Sequence, residues 1–152
     1  MDFQKTTVLI IEDGDEYLDN LSRFVPGPNY LQAHNGMTAL KMLKVETVHI
    51  IYLDMRFDRI PEDELVGDHQ EVTRQQNGDP DRAWKYLKIN QGLYILDTLR
   101  DSGHGKMPIV LAYDFSGEMR RLDHLRKIYP GLEWVSDAVT PKEIEELFTR
   151  IV

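Results

Sequence analysis

A chain of 152 residues is the size of one ordinary domain, and its 41% apolar and 29% charged residues are the balance of a soluble globular fold with a real core. A formal net charge of −8 argues against a nucleic-acid backbone as the main partner, and the absence of cysteine excludes disulfides, thiolate catalysis, Cys-type zinc sites and iron–sulfur clusters. No apolar run is long enough to span a bilayer and no charged-then-apolar leader opens the chain, so a cytoplasmic address without a membrane partner is expected.

Val8-Leu9-Ile10-Ile11 is a continuous, largely β-branched apolar run, the pattern of a strand buried on both faces. It stops at Glu12-Asp13-Gly14-Asp15-Glu16. A helix follows, with Leu18, Leu21, Phe24 and Val25 expected inward, ended by Pro26-Gly27-Pro28. A short strand over 30–33 leads to Asn35-Gly36, and residues 37–43 read as a helix with Ala39, Leu40 and Leu43 on one side. Residues 48–53 form the next buried strand, which ends at Asp54.

Residues 57–90 break the pattern. They hold eight acids and five bases, with Gly67, Gly78 and Pro80 as interruptions and few apolar residues before Trp84. They read as a polar insertion within a single domain over 1–152, and an excursion this long suggests a lid over the neighbouring acids or a partner-binding arm. Within it, Asp79-Pro80 suits a helix start, with Trp84, Leu87 and Tyr94 inward.

From Gly92 the regular pattern returns. Leu93, Leu96 and Leu99 mark a helix, ended by Ser102-Gly103-His104-Gly105. A strand over 108–112 and a helix capped by Ser116 and running to about Ile128 come next. Residues 132–135 form a short strand, and the capping box Thr140-Pro141-Lys142-Glu143 opens the last helix. Nothing follows that helix, so no further output domain is expected. The order β-α-β-α-β-(insertion)-α-β-α-β-α, with wholly apolar strands, predicts a doubly wound α/β domain with a five-stranded parallel sheet between helices.

In such a sheet, ligands bind where the strands end, at the topological switch point. The first strand ends in Glu12-Asp13 and the third in Asp54. If those strands are neighbours, three carboxylates share one crevice and at least one pKa must rise. Mg²⁺ would relieve the repulsion, using one or two carboxylates and retained waters. Alternatively, one carboxylate attacks phosphorus to give an aspartyl phosphate. A single acid after a strand is ordinarily a solvated loop residue or a cap, and Asp15 and Glu16, in a helix first turn, are read that way.

These residues resemble the receiver domain of two-component response regulators. Val8–Asp13 is similar to that family's opening strand and acidic pair. Ala33-His34-Asn35-Gly36-Met37-Thr38-Ala39-Leu40 is similar to its second strand, turn and second helix, and Ile51–Arg56 to its third strand and phosphoacceptor. Gly92–Leu96 resembles the start of its third helix, and Met107–Leu111 its fourth strand. The resemblance covers 6–56 and 91–151. It implies the strand order 2-1-3-4-5 of the flavodoxin-like fold. It implies that a histidine kinase or another phosphodonor phosphorylates Asp54. Mg²⁺ would be held by Glu12, Asp13, Asp54 and the backbone carbonyl of Arg56. Chemistry would be limited to phosphoryl transfer to Asp54, not conventional turnover.

Two positions depart from the family. It keeps Ser or Thr at the end of strand four, where Tyr113 stands; Ser116 is the alternative donor. It keeps Lys after strand five, where Asp137 stands. An anion beside a developing aspartyl phosphate opposes it, by about 4 kcal/mol at ~4 Å before screening. Asp137 therefore points away, binds metal, or marks loss of the switch. Trp134 falls at the family's switch aromatic, with a surface Trp on an edge strand as the plain alternative.

Arg120, Arg121, Arg126 and Lys127 give the helix before the last strand a basic face, either solvated or a docking surface for a downstream protein. The insertion is the second candidate surface. His34, His49, His69, His104 and His124 show no metal-ligand spacing. Two functions compete: an active phosphoacceptor receiver, favoured by Glu12, Asp13 and Asp54, and a pseudo-receiver that binds partners without phosphorylation, favoured by Tyr113 and Asp137. Asp54-Met55-Arg56 breaks the Asp-x-Asp patterns of dehalogenase-like phosphatases and Toprim nucleases, and Glu12–Glu16 would repel the phosphate of a flavodoxin-type FMN.

Overall fold

The computed structural model describes residues 3–152. Five parallel strands lie in the order β2-β1-β3-β4-β5: β1 (Thr7–Ile11), β2 (Asn29–Ala33), β3 (Ile50–Asp54), β4 (Ile109–Ala112) and β5 (Leu132–Val135). Seven α-helices accompany them: α1 (Glu16–Phe24), α2 (Gly36–Val45), α3 (His69–Gln75), α4 (Pro80–Ile89), α5 (Gln91–Leu99), α6 (Met119–Ile128) and α7 (Pro141–Ile151). No helix of the described residues is long and apolar enough to cross a membrane.

The apolar strand runs are explained by burial on both faces. Leu9, Ile11, Ile51, Leu53, Ile109 and Leu111 point to the side covered by α2, α5 and α6 and pack with Ala39, Ile95, Leu96, Leu99 and Leu122. Val8, Ile10, Ile50, Tyr52 and Val110 point to the side covered by α1 and α7, against Leu21, Val25, Ile144 and Phe148. Strand side chains alternate between faces, so both sets must be apolar. The predicted capping box is present: the Thr140 hydroxyl accepts from the Glu143 amide, and the Glu143 carboxylate accepts from the Thr140 amide.

Two local expectations are corrected. Phe24 is 55% exposed, because Leu21 and Val25 already fill the inward side of α1. Ser116 does not cap α6; that helix starts at Met119 without a side-chain cap. Instead, the Asp114 carboxylate accepts from the Ser116 amide and turns the chain ahead of the helix.

The insertion is folded. Helices α3 and α4, each capped by an aspartate (Asp68 and Asp79), enclose a small core of Val72, Ala83 and Leu87, with Leu65, Trp84 and Tyr94 against it. One buried amide joins this unit to the start of α5. Gln91 accepts from the Val66 amide (2.8 Å) and donates to the Val66 and Leu87 carbonyls (3.0 and 3.2 Å). Next to it, a Cβ at Gly92 would lie 2.6 Å from the Asp54 carbonyl oxygen, so only glycine lets α5 press onto the end of β3. The Gly92 amide donates to the Met55 carbonyl at 2.9 Å and fixes the backbone just past Asp54.

Candidate functional site

β1 and β3 are neighbours, with Ile11 beside Leu53, so the residues that leave both strands emerge together at the carboxyl edge of the sheet. This is the crevice a doubly wound sheet offers to ligands. The structure brings Glu12, Asp13 and Asp54 to it, and each is held by different partners.

Glu12 is buried, and its carboxylate accepts from the Tyr17 amide at 3.0 Å. Burial pushes its carboxyl up to about 7, the Tyr17 amide works against this, and the Asp54 charge adds to the rise. Asp54 Oδ1 accepts from the Met55 amide (2.9 Å) and from the Tyr17 hydroxyl (3.4 Å). Burial pushes this carboxyl up to about 6, with the Asp13 charge contributing.

Asp13 is saturated by the start of the insertion. Its Oδ2 accepts from the Asp58 and Arg59 amides (2.7 and 2.9 Å), and its Oδ1 faces the Arg59 guanidinium at 3.3 Å. The same guanidinium forms a two-pronged pair with Glu16 at 2.6 and 2.9 Å. Hydrogen bonding to Arg59 holds the Glu16 carboxyl down at about 2. Gly14 makes room for this arrangement: a Cβ there would lie 2.1 Å from Arg59 Nη2 and 2.3 Å from Glu16 Oε2. Among the described residues, Arg59 is the only cation that pairs with a carboxylate of the crevice.

This donor set does not fit Mg²⁺ as it stands. Both oxygens of Asp13 are engaged by protein donors, and its side chain is only 4% exposed. Among the described residues, no group of three or more His, Asp or Glu side chains is placed to hold a metal ion. The Arg56 side chain pairs with Asp58 at 2.6 Å, an interaction that does not involve its backbone carbonyl, the group the resemblance puts among the ligands.

The other candidate residues are spread around the crevice. Tyr113 directs its hydroxyl to Glu118 at the start of α6, while its ring packs edge-on against Phe115 and under the Arg121 guanidinium. Ser116 is exposed, and its amide is the group that bonds to Asp114. Trp134 is half-buried, 6.0 Å from Phe115 in an edge-to-face contact. Arg121 is tied to Glu118 and to the Asn90 side chain, whereas Arg120 is exposed. Asp137 is exposed and, with Tyr17, lines a cavity that does not include Glu12, Asp13 or Asp54.

Sequence reasoning missed Tyr17 and Arg59. Tyr17 reads as one more aromatic in a helix first turn, and Arg59 as a lone arginine in a polar run. The available signal was Gly14, a residue with no side chain between four acids.

No protein-family model matches the chain, and no curated protein is similar to it in sequence. Solved structures are similar in fold. The receiver domain of a Francisella response regulator is 13% identical, with 97% of this chain and 100% of that chain covered and a TM-score of 0.60. Chemotaxis protein CheY4 of Vibrio cholerae is 14% identical, with 97% and 98% covered and a TM-score of 0.61. A response regulator receiver protein of Pseudomonas putida is 15% identical, with 96% and 97% covered and a TM-score of 0.61. The chain has the flavodoxin-like fold of response-regulator receiver domains, with the predicted strand order.

Proposed function

We propose that this chain is a cytoplasmic signalling module of receiver fold that binds protein partners without aspartyl phosphorylation. One observation carries the reading: the Arg59 guanidinium and the Asp58 and Arg59 amides occupy the carboxylate of Asp13, where a cation would otherwise be needed. The crevice therefore carries its own counter-ion. The hydroxyl of Tyr113 is engaged by Glu118, and Asp137 brings no positive charge. The partner surfaces offered are the basic side of α6, around Arg120, and the outer side of the insertion.

A specific observation favours the competing reading, in which a histidine kinase or small phosphodonor transfers a phosphoryl group to Asp54. Both hydrogen bonds to its carboxylate fall on Oδ1, and among the described residues Oδ2 has no protein donor. Intact mass after incubation with Mg²⁺ and acetyl phosphate separates the two, with Asp54→Asn alongside. The expected result is no phosphoryl adduct on either protein, with no Mg²⁺-dependent change in tryptophan fluorescence. One adduct on the wild type that Asp54→Asn lacks would replace the proposal with the phosphoacceptor reading.

A further inference from the structure

Between α1 and α7 lies a cavity of about 340 Å³ that Tyr17 lines and Asp54 does not. Its walls are apolar and aromatic: Tyr17, Phe24, Val25, Tyr52 and Ile144. Asn20 and Ser136, with the Tyr17 and Tyr52 hydroxyls, are neutral polar groups of its lining residues. Its one charged lining residue is Asp137, which makes no ion pair among the described residues. The volume falls within the ~300–1,000 Å³ typical of small-molecule sites, and so does the composition, an apolar body with few polar groups.

The chemistry selects the ligand. An anion would meet Asp137 with no cation to offset it. A neutral apolar molecule would leave that carboxylate unused. A cation with an apolar body satisfies both parts, because a carboxylate and aromatic rings are the two groups that attract an ammonium. Tyr17 and Tyr52 pack edge to face at 5.3 Å, and Tyr52 packs on Phe148 at 6.1 Å, so these rings are held by the core. At the rim, the exposed Phe24 ring offers further apolar surface, with the Arg23 guanidinium 5.7 Å from its centroid and outside the lining.

We propose that the α1–α7 cavity binds a small organic ammonium, an aromatic or alkyl primary amine, with its charge on Asp137 and its body between Tyr52 and Ile144. The site goes beyond the signalling role proposed above and does not depend on whether Asp54 is phosphorylated. Tyr17 is common to both, since its ring walls the cavity while its hydroxyl reaches Asp54.

The test is an amide-signal NMR titration of the full chain with three probes of similar shape: 2-phenylethylammonium, 3-phenylpropionate and 2-phenylethanol. The ammonium is expected to give saturable shifts at Val25, Ser136 and Val139, with at least about tenfold tighter binding than either other probe. Asp137→Asn, an exposed substitution that leaves the core untouched, is expected to remove that preference while the folded spectrum persists. Equal affinity for the three probes would overturn the proposal. So would an unchanged preference in Asp137→Asn, or the absence of saturable shifts at the cavity.

Discussion

At the scale of single residues, the crevice is governed by a cation that comes from the insertion. Arg59 is half exposed, and an exposed ion pair contributes little to stability even when two-pronged. Arg59→Ala is therefore expected to leave the midpoint of urea denaturation nearly unchanged. Its effect on charge is larger, because Asp13 and Glu16 lose the only cation that pairs with them among the described residues and regain free oxygens. Calorimetric titration with Mg²⁺ is expected to show a gain of about tenfold or more in affinity over the wild type. Identical Mg²⁺ affinities would mean that Arg59 does not guard the site. Gly14→Ala should copy the effect, since the new methyl would stand where Arg59 Nη2 and Glu16 Oε2 now lie.

At the scale of elements, the insertion is fastened by a side chain rather than by added sheet. Gln91 satisfies both backbone polar groups of Val66, and all of these atoms are buried. Gln91→Leu keeps the volume but leaves an N–H and a carbonyl without partners, at a cost of about 2–4 kcal/mol. Denaturant unfolding measures the loss, and hydrogen exchange at the Val66 amide is expected to speed up along with it. Retained stability and slow exchange at Val66 would show that α3 and α4 hold their place without this pin. The same element explains why the sequence read as a polar insertion: of residues 57–90 only Phe57, Val66, Val72, Ala83 and Leu87 are buried, so its apolar pattern is thin while its caps, Asp68 and Asp79, are ordinary turn residues.

At the scale of the whole molecule, the buried acids set the pH dependence of folding. Glu12 rises from 4.5 to about 7, and Asp54 from 3.8 to about 6, chiefly through burial. A carboxyl raised on folding binds more protons in the native than in the unfolded state between its two pKa values. Stability therefore falls as pH rises through that window, from about 4 to about 7. Glu16 works in the opposite sense: it is held at about 2, so its contribution is present above its ordinary value and lost on acidification towards 2. In chelator-containing buffer the melting temperature is expected to be higher at about pH 5 than at about pH 8, with Glu12→Gln flattening the difference. A profile that is flat over this range in the wild type would remove burial of Glu12 as its cause.

The sequence by itself determined the sheet. Uninterrupted apolar strands alternating with amphipathic helices admit few arrangements, and the resemblance of Val8–Asp13 and Ile51–Arg56 to the receiver pattern put β1 beside β3. It also identified Glu12, Asp13 and Asp54 as residues that leave neighbouring strands. What only the tertiary structure decided is who neutralises them. Arg59 meets Asp13 across 46 positions of chain, and Tyr17 meets Asp54 across 37. Such pairings follow from where the insertion and α1 pack, and charge or aromaticity at one position carries no record of its distant partner. The cavity beside Asp137 is of the same kind: α1, β5 and α7 enclose it together, and no one of them carries its shape.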